Sequence, residues 1–327
     1  MSWLTWRQYR LQGAVACTLL AALAALLVAT WIPMASQWHS ALSSCTASGT
    51  CGTLSSTLFL GNHAVGFLVI MTLGVPLVLG ILLGAPLVAH EAETSARVFA
   101  WTQGVTRRRW LAVKAGWVLL AAAVTGGAVS ALVTWWSGPN NALYGDAFSS
   151  SRFDLMGIVP VGYAVFAVAL GIAAGALIRR VVPAIGVTLV GFVALRATFD
   201  LWLRPHYLAA VTHVYAMTSN WAAPGGAWQL AAGIVTPGGT RLTMQNGTDI
   251  APNVSLSWVP QSCPVGGARG GSSAVLSCMQ SAGFRQFVAY QPADRYWPFQ
   301  FIEAGIFVAL AAALIAVTFA VINRRDA

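Results

Sequence analysis

Long apolar runs separated by polar segments dominate this chain. A helix that crosses the hydrocarbon core of a bilayer needs about 20 consecutive, mostly apolar residues. Six runs of about that length lie near 13–35, 63–89, 113–136, 157–178, 181–203 and 301–322. The pattern therefore predicts an all-α integral membrane protein with six transmembrane helices.

The composition agrees with a membrane protein. Hydrophobic residues make up 57% of the chain, charged residues only 8%, and the mean hydropathy is +0.69, whereas soluble proteins carry about 25% charged residues. The net charge of +9 would also suit a nucleic-acid-binding protein, but the basic residues flank the apolar runs and form no continuous basic face. We therefore expect membrane lipids, and not nucleic acid, as the partner of these charges.

The basic residues also predict the topology. Arginine and lysine are enriched in cytoplasmic loops, and the basic clusters that would share one side are Arg7 with Arg10, the segment 90–112, Arg179 with Arg180, and Arg324 with Arg325. The loops 36–62 and 137–156 contain a single basic residue, Arg152. This asymmetry predicts a multi-pass protein of the cell membrane with both termini in the cytoplasm.

The N-terminal segment SWLTWRQYRLQ has the character of an interfacial helix. On a helix, Trp3, Trp6 and Arg10 would follow one side and Arg7 another, an arrangement that suits the headgroup region. We therefore expect an elbow helix before the first span. A disordered start with anchoring tryptophans is the alternative. A cleavable signal peptide fits poorly because the apolar run exceeds the length of a signal-peptide core.

The segment 204–300 is too long for an ordinary connection and is expected to form a small extracytoplasmic domain. Its short apolar stretches lie among Gly, Pro, Ser and Thr, so strands and turns are as plausible there as helices. The expected division of the chain is 1–203, with elbow helix, five spans and the cytoplasmic segment 90–112, then 204–300, then 301–327 with the sixth span and tail.

Four cysteines fall in segments that the topology places outside. Cys45 and Cys51 lie in the first outside loop, and Cys263 and Cys278 lie in the long one. Two local disulfides are the simplest interpretation on an oxidising side of the membrane, with pairing between the loops as the alternative. A metal site is not expected because neither pair has metal-ligand spacing or a nearby histidine.

Few ionisable residues lie within the spans. Arg196 and Asp200 are four residues apart, so on a helix they face the same way and can pair, and Glu303 lies near the outer end of the sixth span. They form either a polar gate near the outer leaflet or an ion pair that locks helices together. Glycines 74, 80 and 84 in the second span, and 171 and 175 in the fourth, permit close helix packing.

Catalytic motifs for soluble chemistry are missing from the sequence. No G-x-x-x-x-G-K-[ST] loop for ATP occurs, so the energy for any transport would come from another chain or from a gradient. We expect no catalytic residues and no cofactor bound by this chain.

Three stretches resemble one known family. They are WLTWRQYRLQ, ETSARVFAWTQGVTRRRWLAVK and AYQPADRYWPFQFIEAGIFVALAAALIAVTF, and in this order they look like the actinobacterial permeases of the export-type ATP-binding cassette family. The resemblance implies six spans, an elbow helix, and a coupling helix between the second and third spans. The residues it assigns to coupling with the ATPase are Glu91, Glu93, Thr94, Phe99, Trp101, Thr102, Gln103, Arg107, Arg109 and Trp110.

The resemblance also implies partners. A separate ATPase subunit would hold ATP and magnesium, and a second permease copy or a sister permease would complete a central path lined by the second and fifth spans. The substrate is expected to be lipophilic or amphipathic and exported. Two other classes remain open: a gradient-driven carrier that uses Asp200 or Glu303, and a membrane-anchored sensor or immunity protein whose outside domain binds a ligand.

Overall fold

The computed structural model describes residues 14–32, 63–93, 106–137, 148–217, 223–243, 263 and 272–325. Within these residues, six helices are long and apolar enough to cross a membrane, which confirms the six predicted spans. Spans 1 to 6 are Ala14–Ile32, Gly66–His90, Arg108–Trp136, Val159–Ile178, Val181–His206 and Ala293–Arg324.

Several spans are built from more than one type of helix. Span 2 lies in the helices His63–Leu79 and Ala85–Glu93, joined by the π-helical turn Gly80–Gly84. Span 3 lies in Arg107–Trp136, and span 4 is one helix throughout. Span 5 continues from Val181–Thr198 through the π turn Phe199–Leu203 into a short 3₁₀ turn, Arg204–His206. Span 6 begins with the 3₁₀ turn Ala293–Arg295 and continues as Tyr296–Arg325.

The chain divides into two compact units. The membrane unit comprises Met1–Leu143, Ser150–Arg204 and Pro298–Ala327, and the second unit comprises Tyr144–Ser149 and Pro205–Trp297. A short helix, Ser150–Leu155, precedes span 4 in the membrane unit.

Span 4 is the central helix of the membrane unit. Fifteen of its 20 residues are buried, whereas only three residues of the helix Val181–Thr198 in span 5 are. Ala164, Val168 and Ile172 pack in one apolar core with Leu87 of span 2 and Leu111 of span 3. The exposed apolar side chains of span 5 are typical of a surface that faces lipid or another helix.

Glycines bring spans 2 and 4 into direct backbone contact. A Cβ atom at Gly84 would lie 2.6 Å from Val168 O, and one at Gly171 would lie 2.5 Å from Gly80 O. Only residues without a Cβ allow this approach, as in other helix interfaces rich in small residues. The π turn Gly80–Gly84 lies within this interface, which we call the glycine seam.

The second unit contains a sheet, so the all-α prediction is correct only for the membrane unit. The strands are β1 (Val211–Ala216), β2 (Trp228–Val235), β3 (Arg241–Thr243) and β4 (Arg285–Gln291), and the antiparallel order is β1-β4-β2-β3. A helix, Ser272–Ser281, precedes β4.

A disulfide stabilises this small unit. It joins Cys263 to Cys278, and both cysteines pack with Met217, Ile234 and Met279. Because few of the described residues of this unit are buried, the crosslink adds stability by restricting the unfolded chain.

Candidate functional site

A cluster of charged side chains is buried where spans 4 and 6 begin and span 5 ends. Arg204 is at its centre and is only 1% exposed. Its Nη2 lies 2.6 Å from Asp154 Oδ1 and 2.8 Å from Glu303 Oε1, and its Nη1 lies 2.7 Å from Asp200 Oδ1. Arg204 Nε donates to Glu303 Oε2 at 2.9 Å. One guanidinium therefore contacts three carboxylates.

A second arginine extends the cluster towards span 2. Arg196 Nη2 lies 2.5 Å from Asp154 Oδ2, and its Nη1 reaches Leu73 O at 3.4 Å. The Arg196 guanidinium also lies 4.6 Å from the ring centroid of Tyr163. The Tyr163 hydroxyl is hydrogen-bonded to Asp154 Oδ1 at 3.0 Å and to Glu303 Oε1. Six residues thus form one group, which we call the charge cluster: Asp154, Tyr163, Arg196, Asp200, Arg204 and Glu303.

The residues come from four segments that helix geometry brings together. Asp154 lies on the short helix before span 4, Tyr163 on span 4, and Glu303 on span 6. Span 5 supplies the other three at four-residue intervals, which places them on one face of a helix. The charge cluster therefore joins the ends of spans 4, 5 and 6.

A glutamine reinforces this junction. Gln300 Oε1 accepts hydrogen bonds from Ile158 N and Val159 N, both at 3.0 Å, and Gln300 Nε2 donates to Phe153 O at 2.9 Å. The N-terminal N–H groups of a helix have no partner within the helix. A side chain of span 6 thus caps the start of span 4 in place of a residue of span 4 itself.

The energetic meaning of the charge cluster follows from its burial. Asp154 is 5% exposed and Glu303 is fully buried. Charges in such surroundings are costly unless they are paired and hydrogen-bonded. Arg204 is shared by three carboxylates, so removing it would leave Asp200 and Glu303 without the arginine that pairs with them.

The predicted pair of Arg196 with Asp200 is wrong. Asp200 pairs with Arg204, four residues further along the helix, and Arg196 pairs with Asp154. Arg204 lies one residue beyond the apolar run that predicted span 5, which ends at residue 203, whereas the π and 3₁₀ turns continue the helix past that point. The i, i+4 spacing from Asp200 was the available signal. For Asp154, no sequence signal pointed to a buried position.

A small cavity adjoins Arg196 and Asp154. Its volume is about 10 Å³, enough for one water molecule. Residues of spans 2 and 3 complete its wall, among them Thr72, Pro76 and Gly126. The cavity is too small for a molecule larger than water.

The predicted coupling residues lie only partly within the described structure. Thr94, Phe99, Trp101, Thr102 and Gln103 lie outside the described residues. Glu91 and Arg107 lie in helices, but their side chains are also outside the description.

The remaining predicted coupling residues, Glu93, Arg109 and Trp110, lie near the two ends of the segment 90–112. Trp110 is 4% exposed, and the Lys114 ammonium lies 4.9 Å from its ring centroid. Arg109 N donates to Thr106 Oγ1 at 3.4 Å, which caps the helix of span 3. Glu93 Oε1 accepts from Val181 N at 2.9 Å. The two ends of the segment are thus anchored on spans 3 and 5.

One of the two predicted disulfides lies within the described residues. Cys263 and Cys278 are bonded, while Cys45 and Cys51 lie outside the described residues. Among the residues that the structure describes, no group of three or more His, Cys, Asp or Glu side chains could hold a metal ion.

The comparisons with known proteins give one match. The family model described as ABC-2 membrane transporter related matches residues 17–204. No curated protein and no solved structure matches the chain.

Proposed function

The chain belongs to the ABC-2 membrane transporter related family, a family of multi-pass permease subunits that work with an ATPase subunit, and from this premise we propose that it exports a lipophilic or amphipathic substrate. The observation that carries the proposal is the family match, which extends from span 1 to Arg204 of the charge cluster. By the resemblance to actinobacterial exporters, ATP and magnesium bind to the separate ATPase subunit.

The pairing of the buried charges supports the proposed substrate class. Arg204, Asp154 and Glu303 are engaged with one another, so the charge cluster offers no unpaired charge to a polar solute. The outer surface of span 5 is apolar, with Val190 66% and Val182 78% exposed. If this surface of span 5 lines the transport path, as we propose, it would suit molecules that partition into lipid.

The orientation is supported by two independent features. The disulfide Cys263–Cys278 favours an oxidising compartment for the second unit. The basic residues Arg179 and Arg180 directly follow span 4, at the end away from the charge cluster, and basic residues of this kind favour the cytoplasm. We therefore place the second unit outside and both termini inside, with the segment 1–13 as an elbow helix on the inner surface.

The mechanism is alternating access driven by the partner. ATP binding would bring two ATPase subunits together, and the segment 90–112 would pass that movement to the spans. A second permease copy or a sister permease would complete the path, with spans 2 and 5 of each copy lining it. The charge cluster would act as a lock that keeps the outer ends of spans 4, 5 and 6 together, because its charges pair across all three.

Co-purification with the candidate ATPase tests this function. The full chain is expressed with that ATPase, and wild type is compared with the double variant Trp101→Ala plus Gln103→Ala for complex formation and ATP turnover. Trp117→Ala is the matched control, since Trp117 lies on span 3 and is 56% exposed.

We expect the double variant to lose the complex while the control keeps it, because aromatic anchors contribute strongly to transient interfaces. If wild type itself binds no ATPase, the permease proposal fails, and a sensor or a gradient-driven carrier becomes the better interpretation.

A further inference from the structure

A side chain just beyond the end of span 2 caps the start of span 5. Glu93 Oε1 accepts a hydrogen bond from Val181 N at 2.9 Å, and Val181 is the first residue of its helix. The preceding residue, Arg180, provides no side-chain cap. A carboxylate at this position is favourable because the N-terminal N–H groups and the helix dipole attract negative charge. Glu93 therefore supplies from another span what a local N-cap residue usually supplies.

The first turn of span 5 offers few other donors. Pro183 has no N–H, and Ala184 N donates to Arg180 O at 3.2 Å. This leaves the N–H groups of Val181 and Val182, and Glu93 accepts from the first of them. The contact thus satisfies one of the two open donors of the turn.

The surrounding packing connects the same helix ends. A Cβ atom at Gly175 of span 4 would lie 2.6 Å from Ala85 O of span 2, so the two backbones touch. Ala85, Ala174 and Ala184 form one buried cluster that joins spans 2, 4 and 5. Because packed helix ends of this kind resist continuous deformation, the end of span 2 and the start of span 5 are expected to move together.

We propose that Glu93 is a positioning residue that transmits movement of the segment 90–112 to span 5. The inference rests on the proposed function, in which that segment contacts the ATPase. Glu93 lies at the beginning of the segment, so a displacement there acts directly on Val181 N. Span 5 then responds to ATP through a hydrogen bond as well as through apolar packing.

Local stabilisation of the helix end and transmission of movement to span 5 predict different results when another side chain caps the helix. If Glu93 only stabilises the helix end, any good N-cap will replace it. Arg180→Ser provides such a cap, because a serine there can accept from Val182 N without contacting span 2. The double variant Glu93→Ala plus Arg180→Ser therefore gives the turn one side-chain cap again, on Val182 N instead of Val181 N, and leaves the link from Glu93 to span 5 broken.

The test measures span 5 directly. Full-length chain and candidate ATPase are assembled in lipid nanodiscs, with spin labels at Leu120→Cys on span 3 and Val190→Cys on span 5. Cys17, Cys45 and Cys51 are replaced by alanine in this background, so that only the two introduced cysteines and the Cys263–Cys278 disulfide remain. Both label positions are exposed. The distance distribution is recorded without nucleotide and with a non-hydrolysable ATP analogue, using only assembled complex isolated by size exclusion, so that weaker binding of the ATPase does not enter the readout.

We expect a nucleotide-dependent shift in wild type and an about fivefold smaller shifted population in Glu93→Ala, at the lower end of typical coupling between sites. Arg180→Ser should not restore it, whereas Glu93→Gln, which keeps an acceptor oxygen, should restore part of it. An unchanged shift in Glu93→Ala, or full recovery with Arg180→Ser, would overturn the inference and leave the proposed function intact. No complex or no shift in wild type would overturn both.

Discussion

Two of the carboxylates around Arg204, those of Glu303 and Asp200, should differ sharply in how much they stabilise the folded protein. Glu303 is fully buried and contacts Arg204 through two oxygen atoms. Asp200 contacts the same guanidinium at 2.7 Å but is 29% exposed. Glu303→Gln and Asp200→Asn remove one charge each from the same arginine, so they form a matched pair.

The magnitudes follow from burial. Breaking a buried ion pair on one side costs about 3–5 kcal/mol. Glu303→Gln should lie at the lower end of this range, because Arg204 keeps Asp154 and Asp200 as partners. A pair that is partly in water contributes only about 0–1 kcal/mol. For a chain of this size, 1 kcal/mol lowers the melting temperature by about 2 °C. We therefore expect a decrease in melting temperature of about 6 °C for Glu303→Gln and about 2 °C or less for Asp200→Asn.

The assay is thermal unfolding of the purified full-length protein in one detergent at fixed pH, followed by intrinsic tryptophan fluorescence and size exclusion. Arg204→Met combined with Glu303→Gln serves as a further comparison, since it removes one charge of each sign. Equal effects of Glu303→Gln and Asp200→Asn would refute the reasoning, because burial would then not determine the cost.

Three further predictions concern packing, capping and the crosslink. Gly171→Ala should destabilise the membrane unit by about 1–3 kcal/mol through overpacking at the glycine seam, whereas Gly186→Ala, where a Cβ meets nothing within 4 Å, should not; equal melting temperatures of the two variants would contradict the seam. Gln300→Leu should cost about 1–3 kcal/mol in thermal unfolding by leaving buried backbone N–H groups without a partner, and a neutral result would show that water replaces the glutamine. Cys263→Ser should lower the stability of the second unit by about 3 kcal/mol, as expected for a disulfide that closes a loop of 15 residues. Limited proteolysis of the folded protein would detect this loss as faster cleavage within the second unit, and an unchanged cleavage rate would exclude the stabilising role.

The spans were predictable because the bilayer imposes a length on apolar runs. The run near 63–89 corresponds to span 2, Gly66–His90, and the run near 157–178 to span 4, Val159–Ile178. No such external length applies to the second unit. Its strands alternate only weakly between buried and exposed positions, as in β2, so the sequence left strand and helix open there.

The charge cluster was predictable only in part because its pairing is tertiary. Spacing along one helix correctly brought Arg196 and Asp200 to the same side, but the choice of partner depends on Asp154 and Glu303, which come from other segments. Helix periodicity carries no information about those neighbours. The roles of Phe99, Trp101 and Gln103 in coupling stay predictions from the resemblance.

The order of the buried charges along the chain suits synthesis into a membrane. Asp154 emerges from the ribosome first, and Arg196, Asp200 and Arg204 follow on span 5, so both arginines have carboxylate partners as soon as that span enters the bilayer. Glu303 is made 99 residues after Arg204 and then meets a guanidinium that is already held in place. A carboxylate partner for each arginine has therefore been synthesised by the time span 5 is complete, and span 6 supplies the third carboxylate.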